Sequence, residues 1–149
     1  RIEQSLGVVS AARTLAVHPK ILKKCGLSKQ KTAYTLELAR AVQAGKLDFK
    51  GLKDLDDQTV ITQLTHIKDI GIWTAEIYLM FALGRPDILP ASDLALQIAS
   101  QNLFGLKEKP RPKELHCISE RWAPHRTSAA LILWKFYRTP SCMINIERK

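Results

Sequence analysis

The stretch from Leu64 to Asp93, LTHIKDIGIWTAEIYLMFALGRPDILPASD, limits what this chain can fold into more than any other part of it. Val60, Ile61 and Leu64 form an apolar helical stripe, Asp69-Ile70-Gly71 reads as a turn, and the spacing predicts a second helix over Trp73 to Leu83 closed by Gly84. Two helices joined by so short a turn cannot lie side by side along their length without burying the turn's amides. Those amides are therefore expected to point outward, at the start of the second helix. N–H groups at a helix N-terminus, backed by the helix dipole, suit an anion, and Lys68 stands beside them. Beyond Gly84, the segment from Arg85 to Pro90 is a Pro-braced loop that brings Asp93 to the N-cap of a third helix. Asp is a preferred N-cap, so capping is the first role this spacing gives it.

Charge narrows the partner. Twenty-three Lys and Arg against fourteen Asp and Glu leave a net +9, which favours a polyanion over a small acidic molecule, and a phosphodiester is the anion that fits the hairpin. The 149 residues, 46% of them hydrophobic, suit one globular domain spanning 1–149. Cys25, Cys117 and Cys142 are odd in number and far apart, so a reducing, intracellular compartment is expected rather than a disulfide framework. No stretch is long and apolar enough for a membrane helix, and the N-terminal residues show no signal-peptide pattern.

The remaining segments also read as helices. Leu6, Val9, Ala12 and Leu15 or Ala16 fall at helical spacing in the first seventeen residues, and Pro19 opens a short helix to Lys24. Ser28 caps a longer helix with Ala33, Tyr34, Leu38, Ala41 and Val42 on one face and Lys29, Lys31, Glu37 and Arg40 on a solvated one. Asp56 or Asp57 caps the helix that enters the hairpin. After Asp93, an apolar helix runs to Phe104-Gly105, and an exposed linker from Lys107 leads to a helix from Pro112 or Lys113 to Trp122. Thr127 or Ser128 caps the last helix, and Thr139 to Lys149 reads as a loose tail. No strand-like alternation bounded by turns occurs, so the fold class is all-α.

Leu64 to Ala75 resembles the helix-hairpin-helix motif of DNA glycosylases, and Gly84-Arg85-Pro86-Asp87 followed by Asp93 is similar to that superfamily's Gly/Pro-rich loop and catalytic aspartate. The resemblance runs from about Gly26 to Arg138 and is nearest to the alkylbase branch, 3-methyladenine DNA glycosylase II and its eukaryotic relatives. Arg121-Trp122-Ala123-Pro124-His125-Arg126 resembles the family's turn before the last helix. The family's N-terminal turn with a DNA-inserting wedge is not matched, and Gln4-Ser5 is given no function.

The resemblance implies a helical-bundle N-glycosylase of base excision repair that acts as a monomer on double-stranded DNA, damaged or abasic, in the nucleus if the cell is eukaryotic. It assigns catalysis to Asp93, the damaged-base pocket to Trp73, and DNA binding to Lys68, Asp69, Ile70, Gly71, Ile72 and Thr74. Bifunctional relatives carry a Schiff-base lysine where Trp73 stands, so no lyase step is expected. Tyr78 and Phe81, further along that helix, are expected in the core. No cofactor is expected: three scattered cysteines cannot hold the relatives' iron–sulfur cluster, and the histidines lack zinc spacing, which leaves only a structural cation at the hairpin. The chain departs from the pattern at Asp69, where the hairpin usually has glycine, and at Ser92, before the catalytic position. A carboxylate at 69 facing a phosphate weakens DNA binding, which keeps open a damage-recognition protein of the same fold with weak or no excision. A plain hairpin scaffold would explain residues 68 to 71 but not Trp73 and Asp93 together.

Overall fold

Ser28, Asp56 and Asp93 cap helices where the sequence places them. In a computed structural model of the chain, which describes residues 1–139, the helices form two compact units, residues 1–75 and the residues from Glu76 onward, and no strand occurs among the described residues. The expected tail from Thr139 lies, beyond Thr139 itself, outside the described residues.

The first unit holds α1 (Ile2–Leu6), α2 (Ala11–Ala16), α3 (Pro19–Lys24), α4 (Lys29–Gln43), a 3-10 turn (Gly51–Asp54), α5 (Asp57–Thr65) and the first residues of α6 (Ile72–Phe81). Ser28 Oγ accepts the Lys31 N–H at 3.1 Å to start α4, and Asp56 Oδ1 accepts the Thr59 N–H at 2.9 Å to start α5. Both α2 and α3 pack against α4, and Leu22, Leu52, Val60 and Leu64 are buried in this unit. The second unit holds the rest of α6, then α7 (Leu94–Phe104), α8 (Pro112–Ser119), a 3-10 turn (Glu120–Trp122) and α9 (Arg126–Tyr137). Here α7 packs against α8 and α9, burying Leu96 and Ala99 of α7, Leu115 of α8 and Leu133 of α9. Gly105 closes α7 in the left-handed region at φ 62°.

Several expectations are corrected. The first seventeen residues make two short helices, because Gly7 turns the chain at φ 67°; Leu6 is buried, but Val9 and Ala12 of the expected stripe are exposed. On α4 the buried positions are Thr32 and Ala39, one position off the predicted face, and Ala33 is exposed. In the linker Pro110 is buried, and α8 gives way to a 3-10 turn at Glu120 before Trp122 is reached. Phe81 is 62% exposed rather than core, stacked on Trp134 with ring centroids 6.1 Å apart, and Tyr78 is half-buried. The last correction bears on the site: α9 starts at Arg126, and neither Thr127 nor Ser128 caps it.

Candidate functional site

The hairpin is built by local geometry. α5 ends at Thr65 with His66 as its C-cap, and the Ile67 and Ile70 N–H groups donate to Leu64 O and Ile67 O, each at 3.1 Å, winding the chain tightly into the turn. Asp69 then takes φ 70°, the left-handed region, where a non-glycine residue is uncommon and Asp and Asn are the usual exceptions. The turn therefore accommodates Asp69 at a positive φ without a glycine at that position. The first main-chain bond into α6 runs from Ala75 N–H to Gly71 O at 3.1 Å, so the N–H groups of residues 72 to 74 fall in the first turn, where no carbonyl of the same helix can reach them. Gly71, Ile72, Trp73 and Thr74 are all exposed, as are Lys68 and Asp69, and Ile70 is half-buried. Trp73, at 45% exposure, offers much of its ring to solvent.

Asp93 is built differently. It caps α7, with Oδ1 accepting the Leu96 N–H at 3.1 Å, and the same Oδ1 accepts the indole Nε1–H of Trp134 at 3.1 Å from 41 residues away. The capping reading is thus correct and incomplete. The indole, itself stacked against Phe81, fixes the direction in which the carboxylate lies.

The loop that carries Asp93 is bolted to α9. Arg126 Nε and Nη2 donate to the two oxygens of Asp87 at 2.8 and 2.7 Å, a bidentate ion pair, and the Arg126 main-chain N–H donates to Asp87 Oδ1 at 3.1 Å. The Thr127 hydroxyl donates to Arg85 O at 2.7 Å and accepts from the Ile88 N–H at 3.0 Å, while the Thr127 N–H donates to Pro86 O at 3.0 Å. This is why α9 needs no side-chain cap of its own: loop residues some forty positions earlier satisfy its first-turn amides. Hydrogen bonding by Arg126 holds the Asp87 carboxyl below its usual range. Closer to Asp93, Gln97 Nε2 donates to Ala91 O at 2.8 Å.

Of the residues assigned from sequence, Lys68 to Thr74 lie together in the first unit and Asp93 lies in the second. Trp134, Asp87, Arg126 and Thr127 are additions that sequence reasoning missed. Only the Arg126–Asp87 charge complementarity hints at a pairing, and nothing local aligns residues so far apart. Glu76 was missed as well: it is 8% exposed, its Oε2 has no hydrogen-bond partner, and burial pushes its pKa up to about 7. Among the described residues no group of three or more His, Cys, Asp or Glu is placed to hold a metal ion, and no helix is long and apolar enough to cross a membrane.

Comparison with known proteins adds the family. A model described as HhH-GPD superfamily base excision DNA repair protein matches residues 1–125, so the similarity begins well before Gly26. DNA-3-methyladenine glycosylase 1 of Schizosaccharomyces pombe is 37% identical over 117 residues, 78% of this chain and 51% of that protein. Among solved structures, a DNA-3-methyladenine glycosidase from Bacillus halodurans superposes with TM-score 0.77 at 39% identity, covering 93% of this chain and 65% of that one. The S. pombe 3-methyladenine DNA glycosylase Mag1, in complex with abasic DNA, superposes with TM-score 0.81 at 32% identity, covering 89% and 65%. The chain spans about half the length of the curated relatives it matches.

Proposed function

We propose that this chain, which belongs to the HhH-GPD superfamily of base excision DNA repair proteins, is a monofunctional DNA N-glycosylase that releases alkylated bases such as 3-methyladenine or 7-methylguanine from double-stranded DNA. It works as a monomer inside the cell, in the nucleus where there is one. The observation that carries this reading is the Asp93 carboxylate, anchored at one oxygen by the Leu96 N–H and the Trp134 indole, in a chain of this family.

The chemistry follows from charge. A base alkylated on a ring nitrogen is already cationic and leaves without a general acid, so the enzyme's task is to stabilise the positive charge that develops on the sugar. A carboxylate about 4 Å from that charge contributes about 4 kcal/mol at an effective dielectric near 20, or about a thousandfold in rate. Asp93 fills that role, and Trp134 is a positioning residue that holds it. Trp73 stacks on the flipped cationic base through its electron-rich face, and with no lysine there the abasic product is released without strand cleavage. The hairpin amides with Lys68 take the DNA backbone, positioning the duplex without reading its sequence.

One observation favours a second reading, a damage-recognition protein with weak or lost excision: Asp69 is exposed at the hairpin's tip, where the phosphate would lie. Single-turnover release from methylated duplex, measured beside binding to an abasic-site analogue, separates the two. Release with tight abasic binding supports the glycosylase. Tight binding without release supports the second reading, and absence of both removes the DNA-repair assignment for this chain.

A further inference from the structure

Beside the hairpin, the first unit has an open cleft of about 420 Å³ between the end of α4 and the end of α5. Arg40 and Lys46 line it on the α4 side, and Gln63, His66 and Lys68 on the other. The one carboxylate that lines it, Glu37, is paired with Arg40 at 2.5 Å, so its charge is neutralised within the wall. That leaves Lys46 and Lys68 as the net charge the cleft presents. Lys46 is held there by the backbone: Gly45 turns at φ 68°, and the Lys46 N–H donates to Ala41 O at 2.9 Å. His66 is oriented too, since its Nδ1 lies 2.6 Å from Thr62 O, a carbonyl that can only accept. The imidazole proton therefore sits on Nδ1, engaged with that carbonyl.

We propose that this cleft is a second phosphate-contact surface, taking backbone phosphates of the duplex whose nearer phosphates meet the hairpin. The inference rests on the DNA-binding reading above and extends it to residues nothing else assigns. Three features carry it. The surface is continuous with the hairpin, because Lys68 belongs to both. It is concave, and its unpaired charge is of one sign. Its donors are the ammonium groups of Lys46 and Lys68 and the amide of Gln63, which suit phosphate oxygens and carry no means of telling one base from another. The cleft also answers a need: with Asp69 set against the nearest phosphate, an added cationic contact offsets the lost attraction. The competing explanation is that Lys46 and Lys68 only complement the dipoles of the helix ends on which they sit. A dipole partner acts on stability, whereas a phosphate partner acts on the salt dependence of binding.

The test is a titration of a short unmodified duplex with the full chain across salt concentrations, comparing wild type, Lys46→Ala and Lys46→Glu, with melting temperatures alongside. The expected result is a two- to five-fold loss of affinity for Lys46→Ala at moderate salt, a larger loss for Lys46→Glu, and a log–log salt slope smaller by about 0.9 per lost contact. Binding by wild type, with Lys46→Ala shifting only the melting temperature and leaving the slope intact, overturns the cleft while sparing the hairpin. Failure of the wild type to bind any duplex overturns both.

Discussion

The hairpin and the Asp93 loop are built by opposite means. From Leu64 to Ala75 the main-chain bonds that wind the turn, Ile67 to Leu64, Ile70 to Ile67 and Ala75 to Gly71, join residues three or four apart, so the turn is specified by its own sequence. The Asp93 loop is held by Arg126, Thr127 and Trp134, each 39 to 42 residues from its partner. A locally determined element tolerates a change such as Asp69, because one residue that accepts φ 70° is enough. A loop held from a distance has no such tolerance, since each partner is already committed to another element.

Breaking the distant brace is therefore expected to have the largest effect on folding. Asp87→Ala removes both arms of the bidentate pair and strips the cap from the Arg126 N–H, leaving a partly buried guanidinium without its partner. The expected cost is about 2 kcal/mol of stability, from lost charge-assisted hydrogen bonds. Denaturant unfolding measures that loss. Single-turnover release should also fall about tenfold while abasic-DNA binding stays within a few-fold, since a small displacement of a reacting group is costly to rate. Equal losses of release and binding would mean that the brace serves folding alone.

Glu76 tests the same unit through pH. Its folded pKa of about 7 lies above the ordinary 4.5, so between those values the folded state keeps a proton that the unfolded chain has released. Stability is thus greatest below the unfolded pKa and falls as pH rises through about 7, with the gap corresponding to about 3 kcal/mol at most. Glu76→Gln mimics the neutral acid and should stabilise the protein by about 1–3 kcal/mol above neutral pH, with the gain gone in mild acid. Thermal melts across pH would show it. A gain that is equally large at both ends would point to packing rather than titration.

The hairpin carries the smallest effect. Asp69→Gly should tighten binding to any duplex about five-fold, the equivalent of roughly 1 kcal/mol, and more at low salt, because it removes a carboxylate from the proposed phosphate contact and supplies the residue that best adopts φ 70°. No gain at low salt would mean that the hairpin does not meet DNA at residues 68 to 74.

The same contrast explains what the sequence disclosed. Ser28, Asp56 and Asp93 could be read as caps because a cap and its target lie three residues apart. The hairpin is legible for the same reason, as a turn at residues 69 to 71 between two helices. Thr127 was misread because its hydroxyl, suited to a cap, is used by the loop at 85–88, and the choice between the two is made by tertiary contact. Trp134 reads as one more apolar residue of the last helix until the fold sets its Nε1 on Asp93. Glu76 gives no sign of burial either, since a lone Glu within an apolar helix is ordinarily turned to solvent.

In the proposed mechanism the carboxylate of Asp93 acts by its charge and not only as the cap of α7. Asp93→Asn separates the two, because the amide oxygen can still accept from the Leu96 N–H and the Trp134 indole while the negative charge is lost. Single-turnover release of methylated base by this variant, with binding to abasic-analogue duplex measured in parallel, is the most direct test. The expected result is a loss of about a thousandfold in release with binding kept within a few-fold. Release at the wild-type rate would contradict it and leave Asp93 as a helix cap.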